Sequence, residues 1–95
     1  MENNVGGQLL KNFMALQPPE FYGGIDVLVA KNWMLFVEKH LRTMGCSNVQ
    51  RVQFATFLLR DDAERWWETA RQRYIGREPS WVEFQKTFNE QFFPD

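Results

Sequence analysis

Side chains capable of chemistry are sparse in this sequence, and their spacing limits what they could do. His40 and Cys46 are the sole members of their types. An imidazole near a thiol can form a nucleophile–base pair, but these two stand six positions apart across a helix end, with no third group placed to orient the base. A core or surface role accounts for each. A structural zinc site wants four nitrogen or sulfur donors, which one histidine and one cysteine do not supply. Asp61, Asp62 and Glu64 gather three carboxylates, yet acids there suit the first turn of a helix, facing the positive end of its dipole. No glycine pair opens a phosphate-binding loop or a dinucleotide fingerprint. These residues point to a chain that makes contacts, with no enzyme activity, metal or cofactor expected.

Arg71, Arg73 and Arg77 form a basic run with no acid between Glu68 and Glu78. Such a run can meet RNA phosphates or the carboxylates of a neighbouring subunit. Cations at the solvated, negative end of a helix dipole are the plainer reading, and direct nucleic-acid binding is not expected.

Two adjacent tryptophans in AERWWETARQRY, residues 63–74, raise a separate question. Neighbouring helix positions point about 100° apart, so both rings cannot occupy the middle of one stripe. Ala63, Trp67, Ala70 and Tyr74, at spacings of 4, 3 and 4, form the inner stripe, and Trp66 then lies on its flank, with an edge bordering a groove. Either the flank ring widens the core contact or it helps line a cleft for an extended segment. PPEFYGG, residues 18–24, suits such a cleft. Its prolines fix φ and bias their predecessors away from helix, and extended Pro-containing peptides dock in aromatic-lined grooves with little loss of chain entropy. Phe21, Tyr22 and Trp66 are therefore candidate groove or partner contacts, the segment coming from this chain or from another.

The elements that position these residues read as helices. Leu9, Leu10, Phe13 and Met14 recur at helical spacing before the prolines. So short a helix is marginal alone, and its apolar face makes these four residues a candidate self-association arm. Asp26 is a fair N-cap for a helix carrying Ala30, Trp33, Val37, Leu41 and Met44, and Gly45 stops it. S-N-V-Q at Ser47 has the form of a capping box, opening a helix with Val52, Ala55 and Leu59 inside. A break or kink near Arg60 separates it from the helix of the paired tryptophans, which Gly76 and Pro79 end. S-W-V-E at Ser80 is a strict capping box, followed by Trp81, Phe84, Phe88 and Phe92. No sustained alternation or hairpin dipeptide signals a strand. The expected fold class is all-α: a compact bundle of four main helices over 21–95, preceded by an N-terminal arm or short helix over 1–20.

Composition fits one such domain. Ninety-five residues with nine Phe, four Trp and two Tyr can build a core without disulfides, because each buried ring removes roughly 150–250 Å² from water. A net charge of −1 gives no global attraction to nucleic acid or anionic lipid. The first residues have neither the basic region nor the apolar run of a secretory signal, and no apolar run is long enough to span a membrane. The single cysteine fits a reducing compartment, and a cytoplasmic location is expected.

Taken in order, FYGGIDVLVAKNW, MGCSNVQRVQFATFLLRDDAERWW and SWVEFQKTFNEQFFP resemble the Gag capsid domain of Ty3/gypsy-type LTR retrotransposons, in the form common in plant elements. The resemblance rests on the F-x-G entry at Phe21–Gly23, Trp33, the M-G-C-S turn at Met44–Ser47, paired Trp66 and Trp67, and the aromatic-spaced finish from Trp81 to Pro94. It covers about residues 21–94 and implies an N-terminal capsid lobe, a structural self-assembly module that packs with copies of itself. It also implies a C-terminal capsid lobe in the full polyprotein. The alternative is a domesticated Gag-like adaptor holding an extended Pro/aromatic peptide in a hydrophobic groove.

Overall fold

The computed structural model describes residues 5–94 and folds them into five α-helices and one 3₁₀ turn. They are α1 (Val5–Ala15), α2 (Val27–Thr43), α3 (Asn48–Phe57), α4 (Asp61–Ala70) and α5 (Trp81–Phe92), with the 3₁₀ turn Arg71–Tyr74 running on from α4. The fold is all-α, with four main helices and an N-terminal amphipathic one. Residues 1–4 of the arm lie outside the described residues.

The caps are those the residue types favour. Asp26 accepts hydrogen bonds from the Leu28 and Val29 N–H groups, and both capping boxes form, Ser47 with Gln50 and Ser80 with Glu83. Each satisfies backbone donors that a helix start leaves open.

Two helix ends differ from the apolar periodicity, and both shifts bring a residue to a partner. α3 stops at Phe57 and the chain leaves the helix, so that the Phe21 N–H donates to the Leu58 carbonyl and the Arg60 N–H donates to the Phe21 carbonyl, each at 2.9 Å. Phe21 and Leu59 thereby form an isolated parallel bridge. Asp61, at φ +51°, turns the chain back into α4; Asp tolerates this left-handed region better than most residues. α4 stops at Ala70, short of Gly76. The tighter turn that follows carries the Tyr74 hydroxyl to 2.7 Å from Thr87 Oγ1 on α5, partnering the buried hydroxyl of Thr87.

α5 is the spine of the core. Phe84 and Phe88 are fully buried. Trp33 of α2 lies 5.3 Å from Phe88 between ring centroids, Trp66 lies 5.0 Å from Phe92, and Trp67 lies 5.1 Å from Phe84. Phe13 of α1 faces Phe54 of α3 at 6.1 Å within the same core. Offset and edge-to-face rings at these separations add about 0.5–1.5 kcal/mol per pair beyond the burial itself.

Candidate protein-interaction surfaces

The strand-like segment around Phe21 packs among the aromatic rings of the body. Phe21 is 3% exposed and packs between Trp33, Phe88 and Phe92, with centroids 4.9–5.2 Å away. The segment around it is held by backbone bonds: besides the Phe21 pair, the Trp33 indole N–H donates to the Pro19 carbonyl at 2.8 Å, and the Ala63 N–H donates to the Tyr22 carbonyl at 3.3 Å. We refer to residues 18–24 as the strap. Phe21, a candidate partner contact by sequence, is thus a core residue. Tyr22 points outward, 52% exposed, its hydroxyl donating to Glu20 at 2.8 Å. That bond and the Glu20 charge raise the phenol above its ordinary pKa. The arm divides in the same way: Phe13 is fully buried, while Leu9, Leu10 and Met14 are half-buried against the core.

Trp67 is the buried ring of the inner stripe and Trp66 the half-buried ring on its flank, as helical spacing predicts, but the ring that borders an opening is the other one. Trp66 is half-buried among Phe84, Phe88 and Phe92. Trp67, though buried, is the ring that borders a cleft, an open concavity of about 1140 Å³ between α3 and the α4–3₁₀ segment. Phe57 and Ile75 stand on the lining of this cleft with 50% and 83% of their surfaces exposed. Trp66 is not part of that lining.

The arginine run is largely engaged within the domain. Arg73 pairs with Glu90 at 3.1 Å, and Arg77 makes a two-pronged contact with Glu83 at 2.8 and 2.7 Å. The guanidinium of Arg77 and the Ser80 N–H together lower the Glu83 carboxyl to about 2, and Arg77 rises in return. Arg71, which lines the cleft, has no ion pair among the described residues. Two of the three are thus paired with α5 carboxylates, in contacts that remain partly exposed to solvent.

The residues that could have formed a reaction centre are placed structurally. His40 donates from Nδ1 to the Phe36 carbonyl at 2.8 Å and stacks on the Phe36 ring. Cys46 is 4% exposed, and burial raises its thiol pKa. No group of three or more metal-ligating side chains gathers among the described residues, and no helix among them is long and apolar enough to cross a membrane.

One surface was not singled out from the sequence. Ile25, Val27, Leu28 and Val29 are 98%, 47%, 64% and 52% exposed around the start of α2, and Leu35 follows at 56%. The available signal is that I-D-V-L-V is apolar at four of five positions, more than one buried helix stripe can use. Exposed apolar side chains concentrated at one end of a helix suit contact with a partner.

No curated protein and no solved structure matches the chain. Residues 15–93 match the family described as the N-terminal capsid-like domain of the retrotransposon-derived protein PEG10. That stretch runs from the end of α1 through the strap, the tryptophan pair and the aromatic spine of α5. With all but the ends of its sequence inside the match, the chain belongs to this family of retrotransposon-derived, Gag-like capsid domains.

Proposed function

We propose that the domain is a self-assembly module: the capsid N-terminal lobe of a Gag polypeptide of the Ty3/gypsy type, in the form found in plant elements, making homo-oligomeric shell contacts in the cytoplasm beside a C-terminal lobe. The observation that carries this reading is the uncovered apolar run at the start of α2, on a domain whose aromatic groove its own strap already fills. A hydrophobic surface left open while an internal groove is closed favours a partner that approaches from outside. Many weak copies of one contact suffice for a stable shell, because each added subunit engages several neighbours at once.

Sedimentation equilibrium is the test. Over about 1 µM to 1 mM, the range in which weak association becomes visible, the average mass should climb above the monomer's 11.3 kDa. A constant monomer mass, for the lobe alone and for the lobe joined to a second capsid lobe, would overturn the reading.

A further inference from the structure

We infer that copies of the domain associate head to tail, the outer stripe of α2 on one copy seating in the α3–α4 cleft of the next. The inference rests on the self-assembly reading and names its two faces.

The ridge is apolar with a cationic flank. Leu28 and Leu35, 64% and 56% exposed, are seven residues apart and so lie on one line, about 10 Å from each other along the axis. Lys31 and Lys39 fall on the same side of the helix, are exposed, and are in no ion pair among the described residues. Of the acids beside it, Asp26 caps the helix and Glu38 is engaged by Arg42 and Gln85.

The cleft is the complement. Its apolar points are Phe57, Ile75 and Trp67. Of its arginines, Arg60 is paired with Glu20 at 2.8 Å and Arg77 with Glu83 at 2.7 Å. The lining carboxylates Glu64, Glu68 and Glu78 have no ion pair among the described residues, against a single such cation, Arg71. A concavity whose unpaired charges are mostly carboxylates, with apolar points, lies on one element pair, and an apolar ridge whose unpaired charges are lysines lies on another. At about 1140 Å³ the cleft has room for several side chains.

Ridge and cleft are different surfaces, so the contact is heterologous. Each copy offers one of each, and copies chain into a ring if the rotation closes or a filament if it does not. Opposed charges orient the encounter and penalise ridge-to-ridge pairing.

Two variants of the full chain test the pairing by sedimentation velocity. Leu28→Asp with Leu35→Asp disables the ridge and leaves the cleft; Glu64→Lys with Glu68→Lys disables the cleft and leaves the ridge. All four positions are exposed, so helicity and melting should stay near the parent's. Each variant alone should self-associate at least about tenfold more weakly than the parent. Mixed in equal amounts they should form a one-to-one dimer and nothing larger, because one intact ridge meets one intact cleft. A parent that associates while both variants associate equally well overturns this pairing and leaves the self-assembly reading standing. So does a mixture no larger than its parts. A parent that stays monomeric at all concentrations overturns both.

Discussion

Trp66 and Trp67 show what a single residue's position along the chain does and does not determine. Spacing correctly puts Ala63, Trp67 and Ala70 on one buried stripe. It reports the angle of each side chain on its own helix, though, and not the width of the layer that helix meets. The facing element here is α5, whose Phe84, Phe88 and Phe92 make a surface broad enough to receive both rings. Trp66 meets three of those rings; Trp67 meets Phe84, lies 5.6 Å from the Trp66 ring and also lines the cleft. Truncating a buried aromatic to Ala costs about 3–5 kcal/mol, and the half-burial of Trp66 is offset by its larger set of ring contacts. Trp66→Ala and Trp67→Ala should therefore lower stability in urea unfolding by amounts within about 1 kcal/mol of each other, each a large share of the roughly 5–14 kcal/mol a domain of this length has. Loss of several kcal/mol in Trp67→Ala beside near-neutrality in Trp66→Ala would show that the rings contacting Trp66 add little.

Elements were legible where their signals are local. Asp26, Ser47 and Ser80 cap the helices they precede because a cap needs only a side-chain oxygen and the next few N–H groups. The end of α3 was not legible, since Leu58–Arg60 leave the helix to pair with Phe21, nearly forty residues earlier. The strap that makes this pairing depends on Gly23. At φ +91° an added Cβ would sit 3.1 Å from the Ala63 nitrogen and from Asp62 Cβ, whereas at Gly24, φ +105°, nothing lies within 4 Å. Both Ala substitutions are strained, by roughly 1 kcal/mol, but Gly23→Ala also pushes the strap off α4. Its melting temperature should fall clearly further than that of Gly24→Ala; equal losses would mean the strap yields without cost. The start of α5 supplies a pH-dependent element. Folding lowers the Glu83 carboxyl from 4.5 to about 2, so the stability it contributes is complete above the unfolded value and is lost as pH falls through the folded one. Between pH 4.5 and 2 the parent should lose stability faster than Glu83→Gln, in which the capping box persists while the ion pair with Arg77 is gone. Parallel pH profiles would deny the Arg77–Glu83 contact a role in stability.

At the scale of the whole molecule the N-terminal region is part of the body, a property no periodicity could reveal because it depends on where a short amphipathic helix finds its partner. Phe13 is fully buried against Phe54, and Phe21 is inserted among Trp33, Phe88 and Phe92. Each such ring is worth about 3–5 kcal/mol on truncation, so losing both approaches the entire stability expected of the domain. Removal of residues 1–16 takes Phe13 together with the half-buried Leu9, Leu10 and Met14 and should leave a folded but weakened bundle. Removal of 1–22 takes Phe21 as well, uncovers the groove and leaves the Leu58 carbonyl and the Arg60 N–H without the strap; near-ultraviolet circular dichroism should then collapse while much helicity persists. A synthetic peptide spanning residues 5–24, added to the shorter chain, should restore the signal, and the same peptide carrying Phe21→Ala should fail. Strap and body would then behave as two parts of one core that need not be covalently joined, the condition under which neighbouring copies in an assembly can trade segments. If residues 23–95 instead kept the parent's cooperative unfolding and ignored the peptide, the groove would be closed by the body alone and the strap would be a surface ornament.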